Sequence, residues 1–354
     1  MVSQYKTGYI VASFLGKKEI GVNILPLFLI RKIKSQHQAP VTRGFLFVGG
    51  WVDLRMIKRI IALLLFIGVA FWGCENNSPI ADQTDEPADI IQKSSKRGLA
   101  FNLTHPDDFE SLKEGVSWWY NWHWNTAAPE NYYQDYQMEF IPMLWGGNTS
   151  DNDIDNVKNF IISHPEVKYL LVMNEPNLID QANRTPSQAA IDWLVYEQVK
   201  NDLSEQGRDI AIVGPAMNWG TMNDYWDPVV WLDAFYQSFR SIVGRDPIID
   251  YLAFHWYDYG LEEQLDRLQK YGKQIWVTEM ANWNPQIDSY QKQIDQMWEM
   301  VTICENRSDV FRYAWFYGRG DLPDEHFSYI FNQSFGELSS LGNPYIDLPY
   351  TDNQ

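Results

Sequence analysis

Two runs in this chain carry an apolar stretch straight into a carboxylate. Tyr169-Leu-Leu-Val-Met173 runs into Asn174-Glu175-Pro176-Asn177, and Ile275-Trp-Val-Thr278 runs into Glu279-Met280. Each reads as a buried strand that stops at a glutamate. A charged group is costly within a core, but at the mouth of a barrel it faces a pocket. Two carboxylates converging on one pocket are what cleavage of a glycosidic bond requires. One hands a proton to the leaving oxygen, and the other attacks the sugar carbon as an anion. Repulsion between close carboxylates separates those roles. Alone, Asn-Glu-Pro could be a turn imposed by Pro176. With Glu279 placed 104 residues later, the length of three strand–helix units of about 35 residues, the catalytic pair is the better reading.

The elements that must hold such a pair can be read from residue 97 onward. Short apolar runs at 98–102, 116–119, 140–145, 169–174, 210–215, 251–255, 275–279 and 311–316 have the near-continuous hydrophobicity of parallel strands covered on both faces. Helical periodicity fills 155–164, 187–206, 229–243, 261–271 and 289–305, with Ser187 placed as an N-cap and Gly207 and Gly272 as stops. The alternation predicts an α/β protein, a (β/α)8 TIM barrel over 97–354, compact and irregular at the early units and the last helix. A doubly wound sheet is the rival, but no glycine-rich first turn supports it. The polar stretch 318–345 is expected to form a hairpin lid or a truncated eighth helix.

The motifs GLAFN (98–102), FIPMLWG (140–146), NEPN (174–177), AFHWY (253–257) and WVTEMANW (276–283) together resemble glycoside hydrolase family 128 of the clan A retaining enzymes. The resemblance spans about 98–320. It implies a compact barrel acting on β-1,3-glucan, endo in mode, with Glu175 as acid/base and Glu279 as nucleophile. It further implies that Asn174 bonds the sugar 2-hydroxyl and that Tyr257 reaches the nucleophile, with a wall residue two positions beyond the strand end as the alternative for Tyr257. Retention would set the two carboxyl groups about 5–5.5 Å apart, and inversion more widely.

His255 is expected to orient Glu175 or bind a hydroxyl, with a satisfied core histidine as the alternative. Tryptophan is abundant, and an indole offers a flat partner to the C–H face of a sugar ring. Trp119, Trp122, Trp124, Trp145, Trp219, Trp256, Trp283 and Trp315 fall at or just beyond strand ends, so a sugar-binding rim is expected. Trp145, Trp283 and Trp315 lead that set, and Asn102, Asn148, Asn218 and Asn282 are candidate hydroxyl partners. The same platform without chemistry would make a non-catalytic surface glycan-binding protein. A clan A hydrolase of another β-glucan or of β-mannan is a further alternative.

Charge and cysteine content exclude other classes. Net charge is −18 over 354 residues, and residues 75–354 hold 18 basic against 44 acidic side chains, which opposes nucleic-acid binding. Two cysteines, Cys74 and Cys304, allow no disulfide framework, and the six histidines lack metal-ligand spacing, so no metal and no cofactor are expected. Residues 56–74 combine Lys58-Arg59, an apolar run and Gly73-Cys74, the parts of an export signal. The ending resembles a lipoprotein signal with Cys74 as the lipidated residue, and an uncleaved anchor is the alternative. The basic stretch 1–55 then reads as a non-native extension upstream of Met56, and 75–96 as a flexible acidic tether. The expected product is an exported, membrane-anchored monomer, periplasmic or on the outer surface, held only through its N-terminus.

Overall fold

The computed structural model describes residues 90–351. The expected extension 1–55, the signal segment 56–74 with Cys74, and residues 75–89 of the tether lie outside the described residues. Among the described residues no helix is long and apolar enough to cross a membrane.

Nine strand segments build one curled, all-parallel sheet: β1 (Arg97–Ala100), β2 (Trp118–Tyr120), β3 (Glu139–Phe140), β4 (Met143–Leu144), β5 (Tyr169–Val172), β6 (Ala211–Met217), β7 (Tyr251–Trp256), β8 (Ile275–Met280) and β9 (Val310–Trp315). Their order across the sheet is β3-β2-β1-β9-β8-β7-β6-β5-β4. The two outermost segments are consecutive in the chain, separated only by Ile141-Pro142. Pro142 has no N–H to give the ladder, so the pairing breaks there. Helices α1 (Pro106–Leu112), α2 (Tyr132–Tyr136), α3 (Asp151–Ser163), α4 (Pro186–Glu205), α5 (Pro228–Val243), α6 (Leu261–Leu268), α7 (Tyr290–Asn306) and α8 (Gly342–Asp347) alternate with the strands. The result is an α/β barrel-like fold.

The helices that periodicity predicts are all present, with shifted ends. α4 is capped by Thr185 rather than Ser187: Thr185 and Gln188 form a reciprocal capping box and Pro186 takes the first turn. α3 starts four residues early because Ser150 accepts from the Asp153 amide. The early and late units are irregular, as expected. α2 has five residues and α8 six, and neither gives a periodic signal.

Side chains alternate between two buried layers, as parallel strands require. Leu99, Trp119, Leu170, Val172, Leu252, Phe254, Val277, Tyr313 and Trp315 pack outward with the helices. Ala100, Trp118, Tyr120, Leu171, Val213, Ala253, Trp276 and Ala314 pack inside the curl. Gly98 belongs to the inner set because a Cβ there would stand 2.2 Å from the Trp118 ring. Arg312 also points inward, bonded to Glu139 at 2.6 Å and 4.9 Å from the ring centres of both Tyr169 and Trp276.

The expected tether ends sooner than residue 96. Lys93 donates its ammonium to the carbonyls of Lys113, Val116 and Tyr136, and Ser94 and Lys96 are buried. An acidic, proline-containing composition conceals this, because backbone carbonyls rather than apolar packing dock these residues. At the other end of the chain Arg97 gathers the C-terminal segment: its guanidinium donates to the carbonyls of Tyr345, Ile346 and Leu348 at 2.6–2.8 Å. Residues 318–341 are mainly irregular, with one antiparallel bridge between Phe331 and Leu338. They are fastened by the pair of bonds from Arg319 to buried Asp108.

Candidate active site

The parity of the strands decides which residues reach the open end of the curl. On β7, Ala253 faces inward, so His255 and Tyr257 follow it to the same side while Trp256 joins the outer layer. On β2, Trp118 leads inward to Tyr120. On β8 strict alternation from Trp276 would turn Glu279 outward. An extra residue corrects this: Phe254 pairs with Val277 but His255 with Glu279, and β8 spends three residues where β9 spends two. A β-bulge of this kind re-aims a side chain, and here it brings Glu279 to the mouth. β6 carries a second bulge between Val213 and Ala216, where Gly214 lies so close to β5 that a Cβ would meet the Val172 carbonyl oxygen at 2.4 Å. Beyond it Ala216 and then Asn218 face inward. After β5 the chain turns through Met173 and Glu175, both with left-handed φ, of 56° and 44°. Such backbone in non-glycine residues is costly and is held by its surroundings. The Glu175 amide donates to the Ala216 carbonyl and the Asn174 amide to that of Trp145.

These elements bring Glu175, His255 and Glu279 together, one ligand atom of each lying within 4.8 Å of the others. All three are buried. Their hydrogen bonds are unequal. Glu279 Oε1 accepts from the Tyr120 hydroxyl at 2.7 Å and from Trp122 Nε1 at 2.8 Å, and its Oε2 accepts from the Tyr257 hydroxyl. Glu175 has both its side-chain bonds on Oε1: Asn218 Nδ2 at 2.9 Å and His255 Nδ1 at 2.8 Å. His255 Nδ1 also stands 3.4 Å from Glu279 Oε2. Burial, and then the charge of Glu279, push the Tyr120 and Tyr257 hydroxyls well above their ordinary range, so both stay protonated donors. For His255 burial pulls the other way. The charge of Glu279 and the bond to Glu175 outweigh it and hold the imidazole above its usual value.

The Glu–His–Glu grouping has the dimensions of a cation site. Its donor set does not fit one well. The lone pairs a metal would need on Glu279 already take two hydroxyls and an indole N–H. A carboxylate held by neutral donors is instead a preorganised anion, able to meet a developing positive charge. Asn174 is buried beside the pair, with its Oδ1 lacking a partner among the described residues and its Nδ2 at 3.4 Å from Gln181. A ligand hydroxyl would satisfy that oxygen.

The expected rim divides. Trp145 is 37% exposed and, with Trp122, Trp124 and Asn148, lines a cavity of about 210 Å³. Trp283 stacks on Tyr257 at 4.3 Å and on His326 at 4.5 Å, next to the carboxylates. Trp119 and Trp315 are corrections. Trp119 is fully buried among Phe109, Tyr132 and Phe140, and Trp315 is fully buried with its N–H on the Ser328 carbonyl. Both stand one residue out of phase with the inner face. Their places at the mouth go to Tyr120 and Phe316, the latter in edge contact with Trp122, Tyr257 and Trp283. Trp256 is buried in the outer layer, while Trp219 stacks on exposed Trp226. Asn102 is exposed and accepts from Asn121, and Asn282 is fully buried among Gln293 and Gln296. Burial takes Asn282 away from a sugar, whereas Asn102 remains accessible. Tyr120 was legible as the inward neighbour of Trp118, a signal that strand-end position alone overlooks. Cys304 is buried, 4.0 Å from the Met280 sulfur, as a small apolar group.

Residues 98–345 match the family model described as glycosyl hydrolase catalytic core. Among solved structures, a GH128 (subgroup II) endo-β-1,3-glucanase from Pseudomonas viridiflava is 51% identical, with a TM-score of 0.69 over 73% of this chain and 100% of that one. A second subgroup II endo-β-1,3-glucanase, from Sorangium cellulosum, is 29% identical, with a TM-score of 0.61 over 72% and 99% of the two chains. Alkali-sensitive linkage protein 1 of Schizosaccharomyces pombe (strain 972 / ATCC 24843) is 29% identical over 268 residues, 72% of this chain and 44% of that protein. The chain thus spans less than half the length of that curated relative.

Proposed function

The chain belongs to glycoside hydrolase family 128 and is a glycoside hydrolase; from that premise we propose that it cleaves β-1,3-glucan internally and with retention, Glu175 serving as acid/base and Glu279 as nucleophile. The observation that carries this reading is the unequal dressing of two carboxylates that approach within 4.8 Å. Glu279, surrounded by donors, is suited to remain anionic and attack the anomeric carbon. Glu175 has one oxygen without a partner among the described residues and is suited to carry the proton that the leaving oxygen takes. An oxygen of each within 4.8 Å of the other favours retention, whose carboxyl groups stand about 5–5.5 Å apart, over inversion, which needs about 6.5–9.5 Å to seat a water. Asn174, with its unpartnered oxygen, is the proposed partner of the sugar 2-hydroxyl. Trp145 and Trp283 are the proposed ring platforms, and His255 and Tyr257 hold the two carboxylates. Endo action is proposed because the 51% identical relative is an endo-β-1,3-glucanase.

We also read the sheet as a closed (β/α)8 barrel. β3 and β4 are pieces of one strand, so the sheet begins on β2's side and ends on β5's side of the same stretch, 139–144. Export and anchoring through Cys74, as a monomer, complete the proposal. Incorporation of labelled fatty acid, lost in Cys74→Ser, tests the anchor.

Product analysis tests the function. A soluble fragment starting near residue 90 is given laminarin, mixed-linkage glucan, carboxymethylcellulose and mannan. The expected result is a ladder of short oligosaccharides from laminarin, β-configured at first release and abolished in Glu279→Gln. Cleavage of another polymer would move the substrate. Laminarin binding without products would make the protein a surface glycan receptor.

A further inference from the structure

The acid/base reading leaves a question that the geometry answers: which oxygen of Glu175 carries the transferable proton. Two nitrogens face Oε1, Asn218 Nδ2 at 2.9 Å and His255 Nδ1 at 2.8 Å. The amide of Asn218 cannot be reversed, because its Oδ1 accepts the Trp219 backbone N–H at 2.8 Å. Its NH2 group therefore faces the carboxylate. The Asn218 carbonyl is fixed too, accepting from Asn177 Nδ2 at 2.7 Å, and the β6 bulge at Gly214-Pro215 sets the side chain on the inner face. An oxygen that receives an amide N–H favours negative charge on itself. A proton shared between Oε1 and the imidazole is then held on Nδ1, and Oε1 stays an acceptor.

Resting on the reading of Glu175 as the acid/base, we infer that Asn218 is a positioning residue that confines the transferable proton to Glu175 Oε2. In the first step that proton moves from Oε2 to the glycosidic oxygen. The C1–O bond breaks, its electron pair stays on the leaving oxygen, and a carboxylate oxygen of Glu279 bonds C1. In the second step Oε2 takes a proton from water as the water oxygen bonds C1 and the Glu279 ester bond breaks, returning the carboxylate. Without Asn218 the proton can settle on Oε1 against the imidazole, away from the leaving group.

Leaving-group dependence separates this role from a structural one. Asn218→Leu removes the donor at nearly constant volume, and Asn218→Asp sets an acceptor against Oε1. Each is assayed on laminarihexaose, whose leaving alkoxide needs a proton, and on 2,4-dinitrophenyl β-laminaribioside, whose leaving phenolate does not. The expected result is a kcat/KM on laminarihexaose lowered on the order of 30-fold, part of the 10²–10⁴ that general acid catalysis supplies, with kcat/KM on the activated substrate changed by less than about threefold. Retained turnover of the activated substrate also reports that the variant is folded. An equal fall on both substrates, or no fall on either, overturns the inference. Glu175→Ala is run alongside. If it spares kcat/KM on the activated substrate but lowers its kcat, and azide restores that turnover as a β-glycosyl azide, Glu175 is the acid/base, and the Asn218 result stands or falls by itself. If Glu175→Ala loses both substrates alike, the acid/base assignment fails and takes this inference with it.

Discussion

Glu279 at the open end of the sheet and Glu305 near its opposite end are buried equally, at 4% exposure, and both accept a tyrosine hydroxyl at 2.7 Å. Their surroundings then diverge. Glu305, on α7, takes Ser94 Oγ as well and stands 4.0 Å from the Arg97 guanidinium, and Thr351 closes over it. Its charge is balanced by a cation that never titrates, and the chain ends shut it from solvent. Among the described residues Glu279 has no arginine or lysine partner. Its donors are neutral hydroxyls and an indole, and the nearest group that can become cationic is His255, shared with Glu175. One arrangement pairs a carboxylate with a cation, and the other surrounds it with neutral donors. On the proposed mechanism, carboxylates at the same depth are reactive or inert according to the partners supplied.

The comparison breaks most sharply if the two glutamates prove interchangeable. On the proposed mechanism Glu279→Gln lowers kcat on laminarin on the order of 10⁴-fold with a thermal unfolding profile near that of the parent protein. Glu305→Gln keeps turnover in its folded fraction. Arg97→Met should act in reverse. Removing the cation leaves Glu305 and four carbonyls without it, a loss of about 3–5 kcal/mol in urea unfolding, while kcat stays within about twofold. Unchanged stability would mean that the Arg97 clasp contributes little.

Tyr257→Phe sharpens the account of the open end. It removes one of the donors to Glu279 and should lower kcat on the order of 30-fold, in line with about 2 kcal/mol for a hydrogen bond to a charged group. Equal losses from Tyr257→Phe and Tyr313→Phe would erase the distinction between the two sites. The smallest effect concerns pH. Because the folded protein holds His255 above its ordinary value, its stabilising contribution is complete below about pH 6.5. That contribution is lost as pH rises through the raised value. The urea midpoint should therefore decline on the alkaline side of pH 6.5, and His255→Gln should flatten that decline. The Arg97 clasp has no such dependence. An identical slope in the variant would remove His255 from the balance.

Much of this was legible in the residues. Apolar runs ending in Asn174-Glu175 and Glu279 located the carboxylates, and alternation from Ala253 reaches both His255 and Tyr257. What escaped depends on pairing between distant strands. The bulge at Thr278-Glu279 that turns the carboxylate inward leaves no local mark; Gly214-Pro215 marks the other, but that it aims Asn218 at Glu175 depends on the neighbouring strands. Trp119 and Trp315 were assigned to the rim by position at a strand end, when parity from Trp118 and Ala314 sends both outward. Short helices such as α2 and α8 hold through tertiary packing and offer too few turns for periodicity.

The Arg97 clasp has a consequence for chain order. One guanidinium at the head of β1 holds the carbonyls of Tyr345, Ile346 and Leu348, so the two ends of the folded body are neighbours. A short peptide could join them, and the chain could be reopened at exposed Gln206-Gly207, after α4. Such a permutant would begin at β6, carry Glu279 ahead of Glu175 in its sequence, and keep the same constellation. The order in which the carboxylates are synthesised is separable from the site they form.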